Sequence, residues 1–138
     1  PGGRMGGMNH FLLPAAPGQA DAKTLRYGAH AMEMLINELL KLGARRRALQ
    51  AKLFGGANVT DVLGPIGQSN ADFAVNYLRT EDIPCIAKSL GGTQARRIVF
   101  RPSTGHVRQL IVQGAAPEVK PAPPPSRKPQ GPQDVILF

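Results

Sequence analysis

Tryptophan is missing from the 138 residues, tyrosine occurs twice and cysteine once. A lone thiol, Cys85, closes no internal disulfide and builds no cysteine-rich zinc site, which favours a cytosolic chain. No apolar run approaches the roughly 20 residues that span a bilayer, and the opening PGGRMGGMNH has no apolar stretch of the secretory kind. Neither a spanning helix nor a leader is expected. Carboxylates are scarce as well: 9 Asp and Glu face 17 Lys and Arg, a formal charge of +8. That balance would suit nucleic acid, but so few aromatic rings leave little for bases to stack on. The glycine pairs 55–56 and 91–92 are not followed by the Gly-Lys-Ser/Thr that a phosphate loop requires.

What is present fits one domain with a single core. Pro1 in place of a methionine reads as the start of a fragment or a cleaved product. Composition changes after Gln113, where residues 114–132 hold seven prolines in nineteen positions and no apolar periodicity. We expect a domain over 1–113 and a Pro-rich flexible tail over 114–138. The tail ends in the apolar run Val135-Ile136-Leu137-Phe138, either a frayed end or a tethered docking peptide. Its three cations and two carboxylates leave +7 of the charge in residues 1–113, with Arg45-Arg46-Arg47 the densest run.

Apolar residues Leu25, Met32, Leu35, Ile36, Leu39 and Leu42 recur at threes and fours, predicting a helix over 24–42 that Gly43 stops. Gly28 in its first turns costs about 1 kcal/mol against Ala unless close packing requires it. Residues 47–54 alternate as a strand, with Leu49, Ala51 and Leu53 on one face. A second helix is expected over 70–80, capped by Ser69, with Phe73, Ala74 and Tyr77 inward. Strands follow over 83–90, 96–101 and 106–113, the last two joined by the turn Pro102-Ser103-Thr104-Gly105. A further short apolar strand, 10–13, is closed by Pro14. The fold class is α/β (α+β): a mixed sheet with two helices packed on it, in one domain.

Three histidines are candidates for chemistry. His30 and His106 sit among polar or turn residues and are expected to be solvated. His10 differs, standing after Asn9 and directly before an apolar strand; spacing alone leaves it open between a hydrogen-bonded structural residue and a functional one. No close carboxylate or cysteine companions argue for a metal at any of the three. Cys85, inside Ile83-Pro84-Cys85-Ile86-Ala87, is expected to be a small buried hydrophobe and not a nucleophile. Arg45–Arg47 follows a helix C-terminus, where cations are favoured by the macrodipole.

The order of short motifs carries more. Gly6-Gly7-Met8-Asn9-His10-Phe11-Leu12-Leu13-Pro14, then Arg26-Tyr27-Gly28, then Ala51-Lys52-Leu53-Phe54-Gly55-Gly56-Ala57, then Ile66-Gly67-Gln68-Ser69-Asn70, with Gly91-Gly92, Arg97, Phe100 and Thr104-Gly105, resembles the chemoreceptor glutamine deamidase CheD family over residues 5 to about 112. The resemblance implies a CheD-like sandwich and a cytoplasmic bacterial chemotaxis enzyme. Such an enzyme converts glutamine side chains of methyl-accepting receptors, whose methylation helices are rich in Glu and Gln, to glutamate. It implies His10 as the catalytic histidine, paired with a nucleophilic cysteine and an orienting threonine. Neither lies between Pro1 and His10, so both are expected upstream of Pro1. Asn9, Gly6 and Gly7 are expected to line the site. No metal or organic cofactor is implied, and a CheC-type phosphatase is an implied partner in addition to the receptors. The alternative is a catalytically silent module that docks such a phosphatase or a receptor.

Overall fold

The computed structural model describes residues 4–13, 21–60, 65–112 and 135–137. Helix α1, Ala22–Lys41, begins where the Asp21 carboxylate accepts the Thr24 N–H at 2.7 Å. Hydrogen bonding by Thr24 holds that carboxyl below the usual carboxylate range. The helix stops at the predicted glycine. Gly43 takes a φ of +101° and its N–H bonds Leu40 O, while Ala44 N–H bonds Leu39 O, the paired C-terminal closure that a glycine at this place permits.

The chain then makes a single 3-10 turn, Arg46–Ala48, before β1, Ala51–Gly55. The strand expected from residue 47 therefore starts four residues later. The physical reason is local: Ala48 and Leu49 N–H groups turn back onto Arg45 and Arg46 carbonyls, and the Arg46 guanidinium pairs with the Glu81 carboxylate. The predicted inward face survives, since Leu49, Ala51 and Leu53 all pack on the core.

Helix α2, Ile66–Thr80, starts four residues before the expected Asn70, with Pro65 as its N-cap and no side-chain capping bond. Ser69 is thus inside the helix. β2, Cys85–Leu90, runs parallel to β1, as a strand returning after a crossover helix does. β3, Arg96–Arg101, and β4, His106–Ile111, form the predicted antiparallel hairpin in full register. Among the described residues the strands form two small sheets in place of one mixed sheet, β1–β2 and a second built on the β3–β4 hairpin. Lys52 donates to Gly105 O at 2.8 Å and Arg96 to Gly55 O at 3.2 Å, tying the two sheets together.

Most of the proposed tail, residues 114–134, lies outside the described residues, as does the loop 14–20. Val135–Leu137 is not frayed; it forms β5, pairing antiparallel with Arg108–Leu110 of β4. The core centres on Met32 and Ile36 of α1, Leu78 of α2 and Ile83, with Phe11, Leu40, Phe73 and Tyr77 packed around them.

Cys85 departs from its expected burial. Among the described residues β2 has a partner strand only in β1, and its first two residues, Cys85 and Ile86, are exposed, with the thiol 3.3 Å from Ala87 O.

Candidate active site

The apolar run at His10 predicts a strand. Among the described residues no strand ladder holds it; side chains from both helices do so instead. Gly6 lies where an added Cβ would fall 2.8 Å from the Phe100 ring and 3.1 Å from Pro102 O, so only a bare backbone fits against the β3–β4 turn. An added Cβ at Gly7 would meet Leu35 Cδ1 of α1 at 2.5 Å. Asn9 donates through Nδ2 to Ala31 O of α1 at 3.1 Å. The Phe11 ring stands edge-on to Phe73 of α2, centroids 5.6 Å apart. Leu13 is buried, and its backbone is gripped at both polar atoms by one side chain: its N–H donates to Asn70 Oδ1 at 2.8 Å, and Asn70 Nδ2 donates to Leu13 O at 3.2 Å. Asn70 Nδ2 also reaches Ile66 O in its own helix at 2.8 Å.

Inward anchors thus occur at 7, 9, 11 and 13, the period of an extended chain. The outward positions are Met8, His10 and Leu12, all exposed. His10 engages no hydrogen-bond partner among the described residues. Its imidazole is presented to solvent from a backbone fixed on either side, which suits a group that must accept and return protons to an incoming substrate. Asn9 bonds α1 through its side chain, and Gly6 and Gly7 serve as close-packing points for the segment.

Gly28 meets the condition that excuses a glycine in a helix. It is buried, and an added Cβ would fall 2.7 Å from Phe73 Cζ and 3.0 Å from Leu13 Cδ2, so it makes the seat for Leu13 and the Phe11–Phe73 pair. Asn70 is the residue that sequence reasoning missed as part of the site. It appears in the Ile66–Asn70 motif, but its partner is 57 residues away in sequence. Replacing Asn70 with alanine should leave two part-buried backbone groups of Leu13 without partners. The expected loss is about 2 kcal/mol of stability, together with faster amide exchange at Leu13 than in the parent; unchanged exchange would refute the grip.

His30 and His106 are exposed, as their settings implied. Cys85 forms no hydrogen bond to a histidine among the described residues. Those residues also assemble no cluster of three or more His, Cys, Asp or Glu side chains that would hold a metal ion. Arg45, Arg46 and Arg47 line an open hollow beyond the C-terminus of α1.

Residues 12–110 match the family model described as CheD chemotactic sensory transduction. The chain belongs to the CheD family. Three relatives are each named probable chemoreceptor glutamine deamidase CheD. One from Cereibacter sphaeroides is 56% identical over 134 residues, covering 97% of this chain and 66% of the relative. One from Caulobacter vibrioides is 50% identical over 137 residues, covering 97% of this chain and 73% of the relative. One from Agrobacterium fabrum is 46% identical over 127 residues, covering 88% of this chain and 70% of the relative. The chain therefore spans just under two thirds, 66%, of the length of the Cereibacter CheD protein. The CheD family span opens at Leu12, whereas a match over 97% of the chain takes in His10 and its anchors too. No helix among the described residues is long and apolar enough to cross a membrane.

Proposed function

We propose that this chain forms the His10-bearing body of a chemoreceptor glutamine deamidase, a cytoplasmic enzyme that hydrolyses glutamine side chains of methyl-accepting receptors to glutamate. The observation that carries the reading is an exposed imidazole on a segment anchored at every second residue, in a chain of the CheD family.

Amide hydrolysis needs a nucleophile for the carboxamide carbon, an acid for the departing nitrogen and a base for water. A thiolate paired with imidazole supplies all three. The thiolate sulfur adds to the carbonyl carbon, and the His10 imidazolium gives its proton to the nitrogen, which leaves as ammonia as the tetrahedral adduct collapses to a thioester. His10, now neutral, takes a proton from water as the oxygen attacks; the thiol departs and glutamate remains. The thiol and the threonine that orients the ring come, on this reading, from residues outside these 138, and Cys85 takes no part.

Ammonia released from a receptor fragment, and not from free glutamine, is the expected result with the native protein. A fragment retained by the protein with no ammonia formed would favour the second reading, a silent module that docks a receptor or a CheC-type phosphatase.

The basic surface belongs to the same reading. A body carrying +7 in residues 1–113 attracts Glu-rich helices over a range that salt shortens to about 10 Å at 0.1 M. Reversing Arg45 and Arg47 to glutamate should slow receptor deamidation several-fold at low ionic strength and little at high. Equal slowing at both would contradict steering. Arg46 is left in place because it pairs with Glu81.

A further inference from the structure

No Asp or Glu occurs between Asp82 and Glu118, while Lys88, Arg96, Arg97, Arg101 and Arg108 all fall in that stretch. The β3–β4 hairpin carries the four arginines, and strand alternation divides them between its faces. Arg96 lies on the inner face with Ile98 and Phe100 and reaches Gly55 O. Arg97, Arg101 and Arg108 are exposed on the outer face. Among the described residues none of these three side chains engages a carboxylate or any other hydrogen-bond acceptor. Val99, 59% exposed, stands at their centre. Arg108 is its direct partner across the ladder, and Arg97 and Arg101 lie two residues before and after it on the same face. The strands fix these steps at about 5 Å across and about 7 Å along. Three like charges held this close repel one another, and burying them without carboxylates would cost far more. The face therefore belongs at a surface, with its counter-charge supplied from elsewhere.

We propose that the outer face of the β3–β4 hairpin is a docking surface for an acidic helix of a partner protein, which sets an apolar side chain on Val99 and carboxylates on the arginines around it. Guanidinium groups take carboxylates in paired, charge-assisted hydrogen bonds, so the sign and spacing of charge select the partner. The β4 edge is already taken by β5, so the partner covers the face and not the edge, and the element that covers a sheet face is a helix. Residues four apart on a helix rise about 6 Å, close to the step from Val99 to either arginine on its own strand. A central apolar residue with glutamates four before and four after it therefore fits the row Arg97, Val99, Arg101. With no aromatic ring on this face for a base to stack on, polypeptide suits it better than nucleic acid. Gly6 packs against Phe100 on the inner face, so docking leaves that contact in place, and the proposal does not depend on the role of His10.

The test measures, by fluorescence anisotropy, binding of the native protein to two labelled helical peptides. One carries a central leucine with glutamate four residues to either side, and the other has glutamine in place of both glutamates. The first is expected to bind about tenfold more tightly at low ionic strength, with a margin that shrinks as salt is added. Arg97→Gln, Arg101→Gln and Arg108→Gln should each weaken it about threefold. Val99→Ser should weaken it by a similar factor at low and high salt alike, because apolar contact is not screened. Arg26→Gln and Arg79→Gln remove the same charge from exposed positions on α1 and α2 and should leave binding unchanged. All these positions are exposed, so melting temperatures should match the parent. Equal weakening by the hairpin and helix variants would reduce the effect to net charge and overturn the site, as would equal binding of the two peptides. A DNA duplex that displaces the acidic peptide, and is itself weakened by the hairpin variants, would overturn the class of partner.

Discussion

Replacing Gly67 with alanine is expected to lower the stability of the fold by about 3 kcal/mol, with a fall in melting temperature of about 10 °C. Two effects of opposite sign compete at this position. Gly67 lies in the first turn of α2, where helix propensity alone would favour alanine by about 1 kcal/mol. Against that, an added Cβ would fall 2.3 Å from Ala57 O, 2.4 Å from Ala57 C and 2.6 Å from Gly56 O. All three are backbone atoms at the end of β1, and no rotamer change moves them. Gly56 itself has a φ of +69°, and an added Cβ there would fall 2.7 Å from Ala71 Cβ and 2.9 Å from Gly67 O, so the crossing is tight from both sides. Steric cost wins. Gly28→Ala provides the contrast, because its neighbours are the tip of the Phe73 ring and a Leu13 methyl, which can yield; about 1–2 kcal/mol is expected there. Thermal unfolding of both variants checks the ranking, and a Gly67 variant as stable as the parent would contradict the crossing.

Replacing His10 with alanine is expected to cut receptor deamidation by about 10³-fold or more, since the same imidazole serves as acid in one half of the reaction and as base in the other. The substitution should barely touch the fold. His10 is exposed and engages no partner among the described residues, and changes at such positions stay within about 0.5 kcal/mol. Activity and stability are thereby separated: a large loss of rate at an unchanged melting temperature marks chemistry, whereas Asn70→Ala should lower both. An alanine variant at position 10 with near-parent rate would remove His10 from the mechanism.

The parts of this fold that could be read from sequence are those with local causes. α1 follows from its apolar spacing and ends at Gly43 because the positive φ needed there suits glycine. The β3–β4 hairpin follows from two alternating runs around a four-residue turn. The structure departs from the sequence pattern where a distant residue decides the outcome. Residues 47–54 alternate well enough for a strand, yet the chain turns over Arg46–Ala48, where Arg46 is drawn to Glu81, 35 residues on. The start of α2 depends on Gly67 fitting against Ala57, a contact that no local pattern announces. The motifs at 51–57 and 66–70 were visible as words; that they exist because β1 and α2 meet there was not. Likewise the His10 block stood out in the sequence, but its inward and outward sides did not. The Asn9 side chain is held on Ala31 O of α1, while Met8 and Leu12 lie on the exposed face with His10.

The most direct measurement of the claim that His10 transfers the protons is chemical rescue. Receptor deamidation by the His10→Ala protein would be followed as imidazole is added, with the parent protein as control. The account predicts a rate that climbs with imidazole in the variant alone, since a vacated, solvent-facing position admits the free ring. A folded, receptor-binding variant whose rate stays flat across the same concentrations would contradict it.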